Sequence, residues 1–340
     1  MKYISYTHSS FQGSRSGWLW KERVVDMALA AEWAVANGII VQAIPGLPDD
    51  MLSFLDRGEK AWQYAKEIAQ AMDEELDQAE ERREATEQIP WIYPLSEVNL
   101  CAPVPTPRSL RDFYAFEQHV IAGRQRRGLE MIPEWYELPV FYFSNHLAIC
   151  GPEDPVLLPP GTKEMDYELE AAFIIGKEGR DIPREKAAEH IFGLMVMNDW
   201  SARDIQRKEM KVGLGPSKGK DFATSLGPYL VTMDELEAFA RDDSRYALDM
   251  RAVINGVAVS RGNLADIYHT FADMVAYASR GVKLYPGEVF GSGTVGTGCI
   301  LELGPQVQPW LRAGDEVELE ITGLGRLRNR LVDARDANES

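Results

Sequence analysis

The stretch Met165-Asp-Tyr-Glu-Leu-Glu-Ala-Ala-Phe-Ile-Ile-Gly176 (MDYELEAAFIIG) carries acidic residues directly into an apolar run. Asp166, Glu168 and Glu170 alternate with a tyrosine and a leucine, and AAFII follows. Successive side chains of a strand point to opposite faces, so these carboxylates would share one face of a strand that enters a core. The alternation alone leaves two interpretations open: the solvated face of a half-exposed strand, or a cation site.

The composition of the chain excludes several classes of partner. Its 340 residues include 36 Lys and Arg against 53 Asp and Glu, a net charge of −17. Such a surplus of negative charge argues against nucleic acids and acidic membranes, which attract basic proteins. The sequence shows neither a signal peptide nor an apolar run long enough to cross a bilayer. Three widely spaced cysteines without a CxxC motif fit a reducing compartment, so we expect a cytoplasmic protein.

The residue pattern of the sequence changes near residue 95, from helix-forming to β-forming. Residues 21–88 are dominated by strong helix formers, whereas alternating and β-branched segments follow the proline-punctuated stretch after residue 89. The pattern predicts a small, mainly helical region (residues 1–97) and a β-dominated domain (residues 98–340) in a mixed α/β chain. Asn255-Gly256 predicts a type I′ hairpin, CILELG (residues 299–304) predicts a strand, and two short helices are expected at residues 184–192 and 264–278.

Further acidic residues stand beside apolar or aromatic segments. Asp199 ends the run IFGLMVMND, and Asp112 begins DFYAFEQH. If Asp112, Glu168, Glu170 and Asp199 converge, their mutual repulsion raises their pKa values unless a cation lies among them. Oxygen ligands without His or Cys select a hard ion such as Mg²⁺, Ca²⁺ or Mn²⁺ over zinc.

A histidine follows the first of these carboxylates along the chain. His119 lies seven residues after Asp112 and is a candidate general base for activating water, although a lone histidine is more often structural.

Two glycine-rich motifs do not predict nucleotide binding. GPSKGKD (residues 215–221) differs from a P-loop because its glycines are one residue too close and an aspartate replaces the Ser or Thr that binds magnesium. GSGTVG (residues 291–296) matches GxGxxG, but the predicted strand CILELG follows it where a dinucleotide fold requires a helix.

Taken in order, DFYAFEQH, YELEAAF, NDWSARDIQ, GKDFATSLGP, SGT and LELG resemble the fumarylacetoacetate hydrolase family over roughly residues 98–333. The resemblance implies a mixed β-roll or barrel with a metal ion at one mouth, a lid from Asp112 to about Gly128, and a homodimer. It also implies a role in aromatic compound catabolism, with a small diketo acid as the substrate.

The resemblance assigns roles to individual residues. The four metal ligands of the family fall on Asp112, Glu168, Glu170 and Asp199. The catalytic histidine of the family falls on His119, and the glutamate that orients it falls on Glu302. The catalytic lysine falls on Lys220. Arg203 matches an arginine that supports the metal ligands without binding the ion. The substrate contacts of the family fall on Tyr114, Tyr142, Gln206 and Thr294. Arg124 and Arg127 are candidates for the arginine that binds the distal carboxylate of the substrate. Asp166 matches no ligand of the family and is expected at the solvated start of its strand.

One departure concerns the substrate. Met210 stands where animal-type members carry a tyrosine, which puts fumarylacetoacetate itself in doubt, and His146 receives no role. The implied activity is metal-dependent hydrolysis of the carbon–carbon bond of a 1,3-diketo acid, such as an acylpyruvate. The alternatives are decarboxylation of an oxaloacetate-like acid, hydration or isomerisation of a 2-oxo acid, and a non-catalytic metal-binding protein.

Overall fold

Strands outnumber helices in residues 1–39, 46–81 and 89–333, which the computed structural model describes. The strands are β1 (Lys2–Thr7), β2 (Arg15–Trp20), β3 (Arg23–Asp26), β4 (Ile92–Pro94), β5 (Asn99–Cys101), β6 (Ser109–Phe113), β7 (Phe141–Ser144), β8 (Ile149–Cys150), β9 (Pro155–Leu157), β10 (Met165–Asp166), β11 (Leu169–Ile175), β12 (Gly179–Arg180), β13 (Ile191–Asp199), β14 (Ser201–Ala202), β15 (Thr224–Thr232), β16 (Ala240–Arg241), β17 (Arg245–Tyr246), β18 (Asp249–Ile254), β19 (Val257–Asn263), β20 (Lys283–Leu284), β21 (Glu288–Gly291), β22 (Glu316–Ile321) and β23 (Gly325–Val332).

The helices are fewer and mostly short. The α-helices are α1 (Met27–Ala36), α2 (Met51–Asp56), α3 (Glu59–Glu81), α4 (Glu117–Gln125), α5 (Pro133–Glu137), α6 (Arg203–Glu209), α7 (Phe271–Ala278) and α8 (Ile300–Leu303). Short 3₁₀ segments lie at Leu95–Glu97, Arg184–His190, Met233–Phe239, Asp242–Ser244 and Leu264–Asp266. Within the described residues, no helix is long and apolar enough to cross a membrane.

Strand β11, which carries the apolar run of MDYELEAAFIIG, lies in the middle of a twelve-stranded sheet. The main path of this sheet is β4-β3-β2-β1-β15-β13-β11-β21-β6-β7, with β5 paired to β1 and β8 to β15. A second sheet of five strands has the order β19-β18-β22-β23-β9. β11 is hydrogen-bonded on both sides and every residue in it is buried, so the interpretation as a half-exposed strand is wrong.

The two faces of β11 pack into two different cores. Leu169, Ala171 and Phe173 lie in one core. This core also contains residues of β18, β22, β23 and α7 and lies between the two sheets. Ala172 and Ile174 face the opposite way, into a core built with β1, β2, β3 and helices α1 to α3. Burial on both faces explains why this segment is a continuous apolar run rather than an alternating one.

The amino-terminal region adds strands as well as helices to the fold. The predicted helices are present as α1, α2 and α3, while residues 40–45 and 82–88 of that region lie outside the described part of the chain. In addition, β1 pairs with β15, so this region extends the same large sheet, and its helices cover one face of it. The division into domains at residues 97 and 98 remains a prediction.

Most of the predicted local elements are present, with one correction. Asn255 and Gly256 join β18 to β19 with φ of 49° and 80°, the positive values that a type I′ turn requires. The two predicted short helices appear at Arg184–His190 and, after a 3₁₀ turn, at α7. The strand predicted for CILELG is wrong: its residues form the single-turn helix α8, which ends at Gly304 with φ of 93°.

Candidate active site

Four buried carboxylates converge from three strands of the large sheet. Asp112 lies in β6, Glu170 in β11 and Asp199 at the end of β13, while Glu168 immediately precedes β11. In the order of the sheet, β21 separates β6 from β11, and its Gly291 pairs with Asp112. One oxygen from each carboxylate lies within 4.8 Å of the others. The four carboxylates to which the resemblance assigns metal binding therefore form one cluster.

The electrostatics of the cluster set Glu168 apart from the other three carboxylates. Burial and then the charge of Asp199 raise the pKa of Asp112 well above its ordinary value, and burial and then Asp112 do the same to the pKa of Glu170. Burial alone would raise the pKa of Glu168 too, but Arg203 and Lys220 outweigh it and lower that pKa. Lys220 offsets only part of the effect of burial on Asp112, and burial raises the pKa of Asp199 as well, so Asp112, Glu170 and Asp199 bind protons more tightly than exposed carboxylates do.

Two buried cations, Lys220 and Arg203, lie beside the cluster. The ammonium group of Lys220 donates to Glu168 and, at 2.5 Å, to Oδ2 of Asp199. The guanidinium of Arg203 donates to Oε1 of Glu168 at 2.7 Å. Burial would lower the pKa of Lys220, but Asp199 and Glu168 raise it, so the ammonium stays charged in the cavity.

The donor set fits a hard divalent ion. Oδ1 of Asp112 and Oδ1 of Asp199 are buried and accept no hydrogen bond from any described group. Unpaired buried carboxylate oxygens are costly, and a cation between them would remove that cost. Because all four donors are oxygens, the cluster suits Mg²⁺, Mn²⁺ or Ca²⁺ better than zinc.

A histidine–glutamate pair lies on the other side of the same cavity. Nδ1 of His119, in α4, is 2.5 Å from Oε1 of Glu302, in α8, and both side chains are almost fully buried. The backbone N–H of Thr297 donates to Oε2 of Glu302 at 2.9 Å, and the thiol of Cys299 lies 3.7 Å from Oε1. With Nδ1 engaged, Nε2 is the ring nitrogen left to act as a base.

One cavity of about 910 Å³ connects the carboxylates with this pair. Its lining combines the charged residues with an apolar wall: Asp112, Phe113, Tyr114, His119, Gly123, Arg126, Arg127, Val140, Phe141, Tyr142, Glu168, Glu170, Arg203, Gln206, Arg207, Met210, Lys211, Pro216, Lys220, Gly293, Thr294 and Leu301. Asp199 and Glu302 are not part of this lining but contact it. Asp199 bonds to Lys220, and Glu302 bonds to His119. A cavity of this size accommodates a small organic acid.

Two of the expected substrate contacts bond to the carboxylate cluster. The hydroxyl of Tyr142 donates to Oδ2 of Asp199 at 2.5 Å, and that of Thr294 donates to Oε1 of Glu170 at 3.3 Å. Both residues also line the cavity. They therefore orient the carboxylates from positions that a substrate can also reach.

Two others lie beside His119 and Arg203. The ring of Tyr114 meets that of His119 edge to face, with centroids 5.3 Å apart, and burial raises the pKa of Tyr114 to about 12. The side-chain oxygen of Gln206 accepts from Arg203 at 3.1 Å, which leaves its amide N–H groups available to a ligand.

The arginines at and just after the end of α4 are arranged differently from the sequence prediction. Arg127 lines the cavity, but Arg124 does not, and its guanidinium donates to the carbonyl of Glu130. Arg126, which the sequence analysis did not single out, lines the cavity and donates to the carbonyl of Glu302 at 2.6 Å. His146 lies outside the lining.

Asp166 is not at the solvated start of a strand, so that expectation is wrong. Its side chain is 0 % exposed and accepts from Nε of Arg203 at 2.8 Å. The N–H groups of Ile300 and Leu301 also donate to it, at 2.7 and 3.0 Å. The alternation in MDYELE was the available signal, since all three acidic residues turn inward.

Glycines of the GSGT motif also belong to the site. A Cβ on Gly291 would lie 2.6 Å from Oδ1 of Asp112 and 2.7 Å from Cε of Met197, and Gly293 has φ of 78°. The N–H of Gly293 donates to Oε2 of Glu170 at 3.0 Å. These glycines make room for the carboxylates, a requirement that only the packing reveals.

The sequence is similar to enzymes of known activity. Human oxaloacetate tautomerase FAHD2A, mitochondrial, is 33% identical over 292 residues, which cover 85% of this chain and 81% of that protein. Fumarylacetoacetase of Bos taurus is 31% identical over 326 residues, covering 78% of this chain and 77% of that one.

The fold is similar to that of a solved structure, maleylpyruvate hydrolase from Sphingobium sp. SYK-6 in complex with manganese(II) ion and pyruvate. The TM-score is 0.63 at 23% identity, with 98% of this chain and 99% of the other covered. Residues 109–332 match the family model for the fumarylacetoacetate (FAA) hydrolase C-terminal domain. Strands β6 to β23, with the carboxylate cluster and the histidine–glutamate pair, lie within that match, and the chain belongs to the fumarylacetoacetate hydrolase family.

Proposed function

We propose that the protein hydrolyses the carbon–carbon bond of a 1,3-diketo acid, such as an acylpyruvate, with a divalent ion as cofactor. The observation that carries the proposal is one cavity in which the His119–Glu302 pair faces the four-carboxylate cluster. Hydrolysis needs a base for water and a means of stabilising an enolate, and these two groups are suited to supply them.

The ion would be held by Asp112, Glu168, Glu170 and Asp199. When bound, it supplies Lewis-acid stabilisation of the negative charge that develops on the substrate oxygens. The solved maleylpyruvate hydrolase holds manganese(II) and pyruvate, which supports Mn²⁺ or Mg²⁺ and a pyruvate-containing substrate here.

His119 takes the proton from the attacking water. In the neutral tautomer that donates its Nδ1–H to Glu302, Nε2 carries the lone pair that takes the proton, and the carboxylate stabilises the imidazolium that forms. The water oxygen adds to the distal carbonyl carbon, and the bond from that carbon to the methylene breaks. Its electron pair moves into the enolate, which then takes up a proton. The products are a carboxylic acid and a 2-oxo acid.

Polar groups on the cavity wall orient the substrate. Lys220 directs two of its three N–H groups at Glu168 and Asp199, so the third can reach a substrate oxygen. The free amide N–H groups of Gln206 offer a second donor. A preorganised donor of this kind contributes about 3 to 4 kcal/mol to transition-state stabilisation.

The test is a cleavage assay. Purified protein with Mg²⁺ or Mn²⁺ should consume an acylpyruvate, followed as loss of the enol absorbance, and His119→Ala should abolish turnover. His190→Ala is the matched control, because His190 is also buried and its ring, as far as the described residues show, bonds to the carbonyl of Lys177 outside the cavity. If His119→Ala turns over as fast as the control, the assignment of the base is wrong.

Tautomerisation of oxaloacetate is the second candidate. The human relative that carries this name is 33% identical and covers 85% of this chain. The same imidazole could move a proton between carbon and oxygen without activating water. An oxaloacetate enol–keto assay beside the cleavage assay separates the two, and oxaloacetate decarboxylation is measured in the same panel. Metal binding without turnover of any member of the panel would indicate a non-catalytic metal-binding protein.

The predicted homodimer, the lid and the cytoplasmic location stay predictions. Light scattering on a size-exclusion column tests the first, since a dimer has twice the mass of the 38.2 kDa chain.

A further inference from the structure

Asp166 connects two parts of the site that the chain builds from distant segments. Its carboxylate accepts the N–H groups of Ile300 and Leu301, the first two residues of α8, and also Nε of Arg203. It is 0 % exposed and does not line the cavity. Within the described residues it is therefore an internal bridge and not a substrate contact.

One end of the bridge holds the general base. Helix α8 is a single turn whose N-cap, Cys299, makes no side-chain capping bond, so Asp166 supplies the acceptors for its first N–H groups. Glu302 lies in this turn and holds Nδ1 of His119. A shift of α8 therefore moves Glu302, and with it the imidazole.

The other end of the bridge holds the carboxylate cluster. Arg203 donates Nε to Asp166, one terminal nitrogen to Glu168 and the other to Gln206. The planar guanidinium fixes these three acceptors relative to one another. A charge-assisted path thus runs from His119 through Glu302, α8, Asp166 and Arg203 to Glu168.

We propose that Asp166 is a positioning residue that sets the placement of the His119–Glu302 pair relative to the carboxylate cluster. The inference rests on the proposed function, because placement matters only if the base acts on a substrate held at that cluster. Misplacement of reacting groups by about 1 Å can cost ~100-fold in rate. Asp166 and Ile300, which this bond joins, are 134 positions apart in sequence.

The test compares Asp166→Asn with Asp26→Asn. Asp26 is the matched control because it is also 0 % exposed, caps the start of α1 through the N–H of Leu29, and pairs with Arg15. Both variants lose a buried carboxylate that caps a helix and binds an arginine. We expect kcat to fall about 10- to 100-fold in Asp166→Asn with KM within about threefold, and kcat to be unchanged in Asp26→Asn.

A second variant breaks the bridge from its other end. Arg203→Lys keeps a positive charge near Glu168 but removes the Nε–H that bonds to Asp166. It should show the same loss of kcat, and it keeps the test decisive if Asp166→Asn does not fold. Wild-type kcat in a folded Asp166→Asn, or an equal loss in Asp26→Asn, overturns the inference.

A measurement without substrate separates this inference from the proposed function. The ring ¹⁵N chemical shifts of His119 and the hydrogen exchange of the Ile300 amide should change in Asp166→Asn and not in Asp26→Asn. If the wild type turns over no substrate in the panel, the proposed function is wrong. The ring shifts of His119 still test whether Asp166 positions the His119–Glu302 pair. Unchanged shifts in Asp166→Asn reject it.

Discussion

Nδ1 of His119 lies 2.5 Å from Oε1 of Glu302, although 183 positions separate the two residues along the chain. We expect Glu302→Gln to lower kcat by ~10² to 10⁴-fold, because an amide does not stabilise the imidazolium as a carboxylate does. The variant with both Glu302→Gln and His119→Ala should lose little more than His119→Ala alone. Fully additive losses in kcat would show that the two residues act separately.

The four carboxylates should bind one divalent ion per chain. Removing it with a chelator should stop turnover, and Asp112→Asn should weaken Mn²⁺ binding measured by calorimetry. The ion should also raise the melting temperature of the wild type, since a ligand at 100 times its Kd adds about 2.7 kcal/mol of stability. Glu189→Gln, an exposed carboxylate on the surface, is the control and should bind the ion normally. Equal affinity in the two variants contradicts the site.

Metal affinity should rise with pH. Burial raises the pKa of Asp112 and of Glu170, so in the metal-free protein these carboxyls retain protons at a pH where exposed carboxyls have lost them. The ion needs both carboxyls ionised, and binding therefore releases protons. Calorimetry in buffers of different ionisation enthalpy measures this release directly. A binding enthalpy that does not depend on the buffer would contradict it.

Gly291→Ala should weaken metal binding about 10- to 100-fold, as the loss of a group that orients a ligand does. The added methyl would lie 2.6 Å from Oδ1 of Asp112, so that carboxylate or the strand must move. Gly46→Ala is the matched control, because a Cβ at that position would meet no atom within 4 Å among the described residues other than its chain neighbours. Wild-type metal affinity in Gly291→Ala would mean that Asp112 is not a ligand.

Met210→Tyr should shift substrate preference towards fumarylacetoacetate. Met210 lines the cavity, and a tyrosine there restores the hydroxyl that animal-type members carry. One added hydrogen bond of about 1 kcal/mol corresponds to roughly a fivefold change in kcat/KM relative to a short acylpyruvate. Val212→Tyr is the control, because Val212 is 82 % exposed on the same loop and does not line the cavity. An equal shift in both variants would rule out a specific contact.

The sequence by itself predicted which residues lie together in the candidate site more fully than it predicted their surroundings. The four carboxylates, His119, Glu302 and Lys220 are all brought together as the resemblance implied, because each stands in a motif with a recognisable pattern. The turn at Asn255-Gly256 was predictable for a similar reason, since its two residues favour the positive φ that the hairpin needs.

What only the tertiary structure decided is how charge is distributed around those residues. The alternation in MDYELE could not distinguish a solvated face from a buried one, because burial of β11 depends on strands and helices far away in sequence. Asp166 shows this most clearly, since its partners Ile300 and Arg203 lie 134 and 37 positions away. The period of a strand is a local property, whereas the compensation of a buried charge depends on which distant segments fold against it.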